Sequence, residues 1–408
     1  MTTAHLQSAD IFTDAAPGIE FDTADETWTI SPEALVSSSA ASAVFSRLAD
    51  SALFNQGSIF STSQTEAAVE YTGEGGLMSN AAGARIIGAD NGVRVDNRSQ
   101  TIDNHGSIEG LAAVGVELDS TADQSTLSNE GAIFGRAAGV EIFASGRGSI
   151  HNLGVIASDS VGIDIEAPPG ATVLVTNARG AMISGSDDAI LVDQGGLFLD
   201  NRGTLTGDIS MTHSADAATI INHGMIDGPV ILGNRDDTFL GTGGTVLAVF
   251  GNDGSDRLTG GARADQLFGD GGNDRLVGAA GNDILGGGSG FDTLTGGPGR
   301  DQFVFETGLD PLHNVDRITD FAPHIDKIFL GDDIFQHLGH DGTLSAARFL
   351  IGAAGGPGAH IIYNPSNGFL LYDSDGPGGA GAEHFATLNP HLALHSTDFV
   401  LTHLLFEE

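Results

Sequence analysis

The sequence contains no cysteine and, among 408 residues, one lysine, one tryptophan and three tyrosines. The absence of cysteine excludes disulfides, iron–sulfur clusters, thiolate zinc sites and cysteine nucleophiles. Basic residues are also scarce: 16 lysines and arginines face 54 aspartates and glutamates, which gives a formal net charge of −38. Such a surface disfavours nucleic acids and anionic membranes as partners and favours divalent cations.

Targeting and membrane signals are also missing. Residues 1–22 have no basic region followed by an apolar stretch, so we expect no signal peptide there. No run approaches the roughly 18 apolar residues of a membrane helix, so we expect no membrane span. If the protein is exported, its export signal must lie elsewhere in the chain.

What the chain has in abundance is glycine, 60 residues, and repeats. Between residues 50 and 230 the phrase Asn-x-Gly-x-Ile-x-Gly recurs, most clearly at Asn104–Gly110 and Asn129–Gly135. A return to one phrase about every 24 residues predicts a parallel β-helix with coils roughly 4.8 Å apart. We expect the isoleucines to stack inside and the asparagines to sit at one turn, tolerate the left-handed region and hydrogen-bond between coils. Copies of the phrase start at Asn55, Asn80, Asn104, Asn129, Asn152, Asn177, Asn201 and Asn222.

A second phrase follows half a coil later, as in Gly115–Leu118 and Gly139–Ile142. Strand alternation points its valines inward and its charged residues outward. The predicted outer charged column consists of Glu70, Arg94, Glu117, Glu141 and Asp164.

A nonapeptide repeat occupies Gly251–Val304 in six copies without a gap, preceded by an isolated copy at 232–240 and a degenerate one at 241–249. The six copies have glycine at position one, aspartate at position six and leucine or phenylalanine at position eight. One inward residue in nine predicts a short strand and a turn, so that two copies make a circuit of 18 residues and alternate copies stack. Stacked carboxylates roughly 4.8 Å apart repel by ~3–4 kcal/mol at an effective dielectric near 20. We therefore expect Ca²⁺, which takes about six to eight oxygen ligands, between them.

These copies resemble the RTX (hemolysin-type) calcium-binding nonapeptide. The resemblance implies a parallel β-roll that holds several Ca²⁺ ions and folds only with calcium. Arg263 replaces the usual fourth-position glycine, and we expect it to weaken one site because that turn favours positive φ. Asp373 and Asp375 fit a further calcium site and an Asp-Gly turn equally well. The predicted metal-site residues are Asp237, Gly251, Gly254, Asp256, Gly260, Asp265, Gly269, Gly272, Asp274, Gly278, Gly281, Asp283, Gly287, Gly290, Asp292, Gly296, Gly299, Asp301, Asp373 and Asp375.

The segment after the nonapeptides resembles two further modules. Asp316–Phe321 and Ile325–Leu330 are similar to the strand pair of serralysin-type secreted proteins. The resemblance to the terminal module of bacterial RTX proteins rests on Ile361–Asn364, Gly368–Gly376, Phe385–Leu388 and Asp398–Leu401. Together they imply export by type I secretion machinery, an uncleaved C-terminal signal and an extracellular or cell-surface location. Leu404–Glu408, apolar with an acidic end, is similar to such a tail.

Common catalytic motifs are missing: the sequence has no H-E-x-x-H, no G-x-S-x-G and no P-loop. Polysaccharide lyases and mannuronan epimerases use β-helices, so Arg94, Glu117, Glu141 and Asp164 form an alternative catalytic group; the other interpretation is an exposed strand face. We expect a secreted, calcium-binding, non-enzymatic surface, matrix or adhesin-like protein with cell-surface or matrix polysaccharide as a candidate partner. The alternative is an extracellular polysaccharide lyase or uronan epimerase.

The predicted fold class is all-β, a parallel β-helix continuing into an RTX β-roll, with a β-rich C-terminal module. Four regions are expected in chain order. They are an N-terminal lead or cap at 1–50, the β-helix at 51–231, the calcium-binding β-roll at 232–304, and a module with the secretion signal at 305–408.

Overall fold

A computed structural model describes residues 3–119, 124–143, 147–352, 358, 360–376 and 381–403. These residues form strands and two short 3-10 helices, Ala346–Arg348 and Ser396–Asp398, which confirms the all-β class. Neither helix in this described part is long and apolar enough to cross a membrane. The chain divides into two compact units, Met1–Val230 and Ile231–Glu408, with the short strand Val230–Ile231 at the division.

Unit 1, Met1–Val230, is a parallel β-solenoid with up to three strands per coil. Each strand pairs in parallel with its equivalent in the next coil, as Leu77–Asn80 does with Thr101–Asn104. The first face consists of Ala4–Gln7, Thr27–Ile30, Ala52–Asn55, Leu77–Asn80, Thr101–Asn104, Thr126–Asn129, Ser149–Asn152, Thr172–Asn177, Gly196–Asn201 and Thr219–Asn222.

The other two faces repeat in the same way. The second face consists of Ile11–Thr13, Leu35–Ser38, Ser58–Ser61, Arg85–Gly88, Ser107–Gly110, Ala132–Gly135, Val155–Ser158, Met182–Gln194, Thr204–Ser210 and Met225–Ile226. The third face consists of Ile19–Glu20, Val44–Ser46, Val69–Tyr71, Val93–Val95, Val114–Leu118, Ala138–Ile142 and Val161–Glu166. Met182–Gln194 pairs with strands of both faces, so one long strand replaces two there.

The core of unit 1 includes the predicted apolar column of the second face. Ile108, Ile133 and Ile156 lie in register and are fully buried. Burial of each such side chain contributes about 1.5–3 kcal/mol, and the repeat places one in every coil. The period of the phrase therefore encodes the stack directly.

The predicted asparagine stack also forms. All eight asparagines are buried, and the side-chain amide of each donates to the amide oxygen of the next at 2.7–2.9 Å, from Asn55 to Asn222. Their predicted left-handed conformation is wrong, because they end regular strands. The left-handed residues of unit 1 include an aligned turn series with φ between 56° and 71°: Asp25, Asp50, Gly75, Ser99 and Gln124.

The predicted lead at residues 1–50 is part of the solenoid. Trp28 lies in the strand Thr27–Ile30, which pairs on one side with Ala4–Gln7 and on the other with Ala52–Asn55. Trp28 therefore lies in a strand within the stack, and its segment does not cap the solenoid. The repeat phrase does not predict these coils, because residues before Asn55 lack Asn-x-Gly.

Unit 2, Ile231–Glu408, begins as a β-roll with two stacks of short parallel strands. The first stack is Thr238–Leu240, Arg257–Thr259, Arg275–Val277, Thr293–Thr295 and Asp316–Ile318. The second is Val249–Phe250, Gln266–Phe268, Ile284–Gly286, Gln302–Phe305, Lys327–Gly331 and Phe399–Thr402. Alternate nonapeptides pair, and their position-eight residues are fully buried, which confirms the 18-residue circuit.

The rest of unit 2 is a small β-rich region. His360–Asn364, Phe369–Asp373 and Glu383–Thr387 form an antiparallel meander. The buried rings of Tyr372 and Phe385, which belong to this meander, pack edge to face with those of Phe305 and Phe335. The remaining elements are the short strands Asp253–Gly254, Gly271–Gly272, Gly342–Thr343 and Phe349–Ile351.

Candidate metal centre

The repeat aspartates stand in two columns inside the roll. The backbone N–H of Asp256 donates to Oδ1 of Asp274 at 2.7 Å, and that of Asp274 donates to Oδ1 of Asp292 at 2.7 Å. The first aspartate column is Asp237, Asp256, Asp274 and Asp292. The second aspartate column is Asp265, Asp283 and Asp301, joined in the same way at 2.9 and 3.0 Å. Except in Asp237 and Asp265, which begin the columns, one carboxylate oxygen of each aspartate thus holds the preceding coil.

The second oxygen has a different environment. Among the described residues, Oδ2 has no hydrogen-bond partner and is buried in Asp256, Asp274, Asp283, Asp292 and Asp301. Asp237 and Asp265, which head the two columns, differ because their Oδ2 atoms accept from the N–H groups of Gly233 and Gly261 at 3.0 and 2.6 Å. A buried carboxylate oxygen without a donor is costly, so five of the seven column aspartates require a positive partner.

The position-one glycines make the space for these oxygens. A Cβ on Gly269 would lie 2.3 Å from Oδ2 of Asp274, and one on Gly287 would lie 2.4 Å from Oδ2 of Asp292. The same short approach, 2.3–2.6 Å, occurs at Gly251, Gly260, Gly278 and Gly296. Position one is therefore glycine because any side chain would fill the room beside the carboxylate.

The position-four glycines let the turns stack closely. A Cβ on Gly290 would lie 1.5 Å from the carbonyl oxygen of Gly272, and Gly254, Gly272, Gly281 and Gly290 have φ between 136° and 154°. A Cβ on Gly299 would likewise lie 1.6 Å from the carbonyl oxygen of Gly281. Carbonyl and carboxylate oxygens in one turn are the donors that Ca²⁺ prefers.

Arg263 does not have the positive φ on which the expected weakening rested. Its carbonyl oxygen still approaches the next coil, 2.2 Å from a Cβ on Gly281. The backbone at this position therefore avoids the strain that the sequence predicted.

Burial raises the pKa values of most of the column aspartates and so makes them weaker acids. It raises the pKa of Asp256 to about 8, of Asp274 to about 7 and of Asp283 to about 6, while the backbone donors oppose the shift and neighbouring carboxylates add to it. Burial also raises the pKa of Asp292 and Asp301. Without a cation the ionised form of these carboxyls is therefore disfavoured, which fits a metal-binding role.

Comparison with protein families matches residues 250–285 and 286–310 to the RTX calcium-binding nonapeptide repeat (4 copies). Residues 250–310 are RTX calcium-binding repeats. Comparison with curated proteins gave no match. The family match ends before Asp316, so the serralysin-like module stays a prediction, and Leu404–Glu408 lies outside the described residues.

Two aspartates beyond the RTX repeats extend the columns. Asp292 N–H donates to Oδ1 of Asp316 at 3.2 Å, and Asp301 N–H donates to Oδ1 of Asp326 at 3.0 Å. Burial and the neighbouring Asp292 raise the pKa of Asp316 to about 9. Oδ2 of Asp326 accepts from the N–H of Ala322 at 2.7 Å, as at the column heads. The repeat pattern misses both residues because the spacing changes from 18 to 24 and 25 residues.

Asp373 belongs to neither aspartate column and is the last residue of the strand Phe369–Asp373. Its Oδ1 accepts from the N–H groups of Gly376 and Asp375 at 2.7 and 3.3 Å. These bonds support the turn interpretation, while calcium at Asp373 and Asp375 stays a prediction.

The outer charged column of unit 1 is assembled as expected. Glu70, Arg94, Glu117, Glu141 and Asp164 are successive register partners on the third face. Arg94 Nε lies 3.0 Å from Glu117 Oε2, and burial raises the pKa of Glu141 to about 7 and of Asp164 to about 6. These residues line neither of two grooves of this unit, of about 1270 and 410 Å³.

Proposed function

We propose that the chain is a secreted calcium-binding protein whose RTX roll folds when Ca²⁺ fills the two aspartate columns. The observation that supports this most directly is the set of five buried Oδ2 atoms without a donor among the described residues. The residues that would hold the ions are the column aspartates and the carbonyl groups of the position-four turns. A bound divalent cation supplies the charge that turns repulsion between stacked carboxylates into attraction.

Calcium dependence suits export. The strongly acidic chain, with a formal charge of −38, and a roll core one side chain deep leave little to hold the roll together without metal. Extracellular calcium sites have Kd of roughly 10⁻⁴–10⁻³ M, and a ligand that binds only the folded state stabilises it by mass action. We infer that the roll remains unfolded inside the cell and folds outside it, after type I secretion.

We further propose a non-enzymatic role as a surface, matrix or adhesin-like protein. Unit 1 supports this because its coils stack through buried aliphatic side chains and the asparagine ladder, a repetitive scaffold that suits a structural role. The outer charged column of its third face would offer charged groups to a polysaccharide of the cell surface or matrix.

A chelator titration followed by circular dichroism tests the calcium mechanism. We expect the full chain to lose part of its β-signal in EDTA and to regain it on addition of Ca²⁺ but much less with Mg²⁺, which demands strict octahedral geometry. A β-signal that is unchanged in EDTA would contradict the proposal.

A second candidate is a uronate lyase or epimerase, favoured by the raised pKa of Glu141 beside the Arg94–Glu117 ion pair. Incubation with alginate and pectate, followed by unsaturated-uronate absorbance and by exchange of the C5 proton, distinguishes it. Activity lost in Glu141→Gln but kept in Glu109→Gln, a glutamate of the second face, would support the enzyme. Absence of both signals in the wild-type chain would exclude it.

A further inference from the structure

Two histidines and one aspartate of unit 2 converge outside the aspartate columns. One ligand atom each from His324, His395 and Asp398 lies within 4.8 Å of the others. The two imidazole rings have centroids 4.7 Å apart. Neither the RTX repeats nor the calcium proposal uses these side chains.

A single buried carboxylate builds this cluster. Asp398 is fully buried, and its Oδ1 accepts from the backbone N–H of His324 at 3.0 Å while its Oδ2 accepts from that of His395 at 2.8 Å. The ring atom Nδ1 of His324 also lies 3.3 Å from Oδ1. Asp398 therefore fixes the backbone of both histidines and brings together segments 74 residues apart in sequence.

The backbone at His324 is held in an unfavourable conformation. Its φ is 68°, in the left-handed region that costs a non-glycine residue of order 1 kcal/mol or more. The chain turns here immediately before the strand Lys327–Gly331, which pairs with Phe399–Thr402 next to Asp398. The strain thus coincides with the point where an imidazole is placed against a buried carboxylate.

The donor set selects a class of metal. Two imidazole nitrogens and one carboxylate suit Zn²⁺ and its transition-metal neighbours, whereas Ca²⁺ takes oxygen ligands almost exclusively. Tetrahedral zinc with ligand distances near 2.0–2.1 Å needs donors about 3.4 Å apart. Both histidine side chains are exposed, so small rotations suffice, and water can complete the coordination.

The only lysine of the chain opposes a cation at this place. Lys327 Nζ lies 3.8 Å from Asp398 Oδ1 and is held by a hydrogen bond to the carbonyl oxygen of Thr397 at 2.7 Å. Its charge reduces the affinity for a divalent ion by electrostatic repulsion. Its removal is therefore a gain-of-binding test.

We propose that His324, His395 and Asp398 bind one zinc-class divalent cation at a site that shares no residue with the calcium columns. The ion clamps the two segments that lead into the paired strands Lys327–Gly331 and Phe399–Thr402. Because the site lies in unit 2, it is available once Ca²⁺ has folded that unit.

Isothermal titration of the calcium-loaded full chain with ZnCl₂ tests the site. We expect one binding event that becomes about tenfold or more weaker in His324→Ala and in His395→Ala, and severalfold tighter in Lys327→Gln. His340→Ala removes an exposed histidine of the same unit and should leave Zn²⁺ binding unchanged. Calcium retention by equilibrium dialysis should be equal in all four variants, which separates this proposal from the calcium mechanism.

The ring resonances of the histidines in the wild-type NMR spectrum supply a readout that needs no variant. Two of the 14 histidines should shift together on addition of one equivalent of Zn²⁺. Equal Zn²⁺ affinity in the wild type and both histidine variants, ring shifts spread over other histidines, or no Zn²⁺ binding at all would overturn the proposal.

Discussion

Each unit stacks one polar residue type from coil to coil, but only one of the two stacks is satisfied by the protein's own hydrogen bonds. In unit 1 the stacked residue is asparagine, whose amide group both donates and accepts, so each copy satisfies the next at 2.7–2.9 Å. In unit 2 the stacked residue is aspartate, which only accepts when ionised. Its Oδ1 takes a backbone N–H, and in five copies Oδ2 has no donor among the described residues. A neutral ladder supports itself, whereas an acidic ladder needs a cation.

The magnitudes point the same way. Each asparagine hydrogen bond contributes about 1 kcal/mol to stability. Each pair of stacked carboxylates costs ~3–4 kcal/mol at an effective dielectric near 20. The comparison therefore predicts calcium dependence in unit 2 and calcium independence in unit 1.

The largest expected effect comes from calcium removal. In EDTA, amide hydrogen exchange should become fast throughout the RTX strands, such as Arg275–Val277, because the repulsion in the columns is no longer offset. Exchange in the solenoid strand Thr126–Asn129 should remain slow. Equal protection of both segments with and without Ca²⁺ would remove the proposed difference between the units.

The next effect concerns one carboxylate in mid-column. Asp274→Asn removes a charge whose Oδ2 has no protein donor among the described residues, so we expect the calcium midpoint of folding to rise about tenfold. Asp265→Asn is the matched control, because its Oδ2 already accepts from Gly261 and the shift should be smaller. Equal shifts in the two variants would show that the protein donor does not distinguish them.

The asparagine ladder offers the converse experiment. Asn129→Ala removes the acceptor of one Asn104 hydrogen bond and the donor to the Asn152 amide oxygen, which should lower the free energy of unfolding of unit 1 by about 1–3 kcal/mol. Urea denaturation measures it, with Ser128→Ala on the same strand as control. The calcium midpoint should stay at the wild-type value, and a shift would contradict the independence of the ladder.

The pH dependence is the smallest effect and has a defined sign. Burial raises the pKa values of Asp256, Asp274 and Asp283 to about 8, 7 and 6, so folded metal-free unit 2 binds more protons than the unfolded chain. The stability that these three carboxyls contribute is therefore fully present below the ordinary aspartate pKa, and it is lost as the pH rises through about 6–8. Calcium binding must displace those protons, so the affinity should increase over the same window.

Titrations of Ca²⁺ at a series of pH values, with thermal melts of the metal-free chain beside them, measure both trends. Calcium affinity that is flat between pH 6 and 8 would show that the column carboxyls are already ionised without metal.

Both stacks could be predicted from the sequence because their periods are visible in it. The inward positions Ile133 and Leu276 follow directly from the two repeats, and both are buried. Asp316 does not follow from the repeat because its spacing departs from it, and the coils around Trp28 do not because they lack the asparagine phrase.

The repeat pattern does not predict which hydrogen-bond partner each side-chain atom finds. Asp265 and Asp274 occupy the same repeat position, yet only in Asp265 does Oδ2 accept from a backbone N–H, because the turn at Gly261 places its N–H there. The cluster of His324 with Asp398 joins segments 74 residues apart and has no local signature.

The central claim is that a metal ion lies between stacked aspartates. Equilibrium dialysis of the full chain against radioactive Ca²⁺ tests it most directly. We predict that the wild-type chain retains several ions and that a chain with Asp256, Asp274 and Asp292 all changed to asparagine retains fewer. A wild-type chain that retains no Ca²⁺, or a triple variant that retains the full wild-type number, would contradict it.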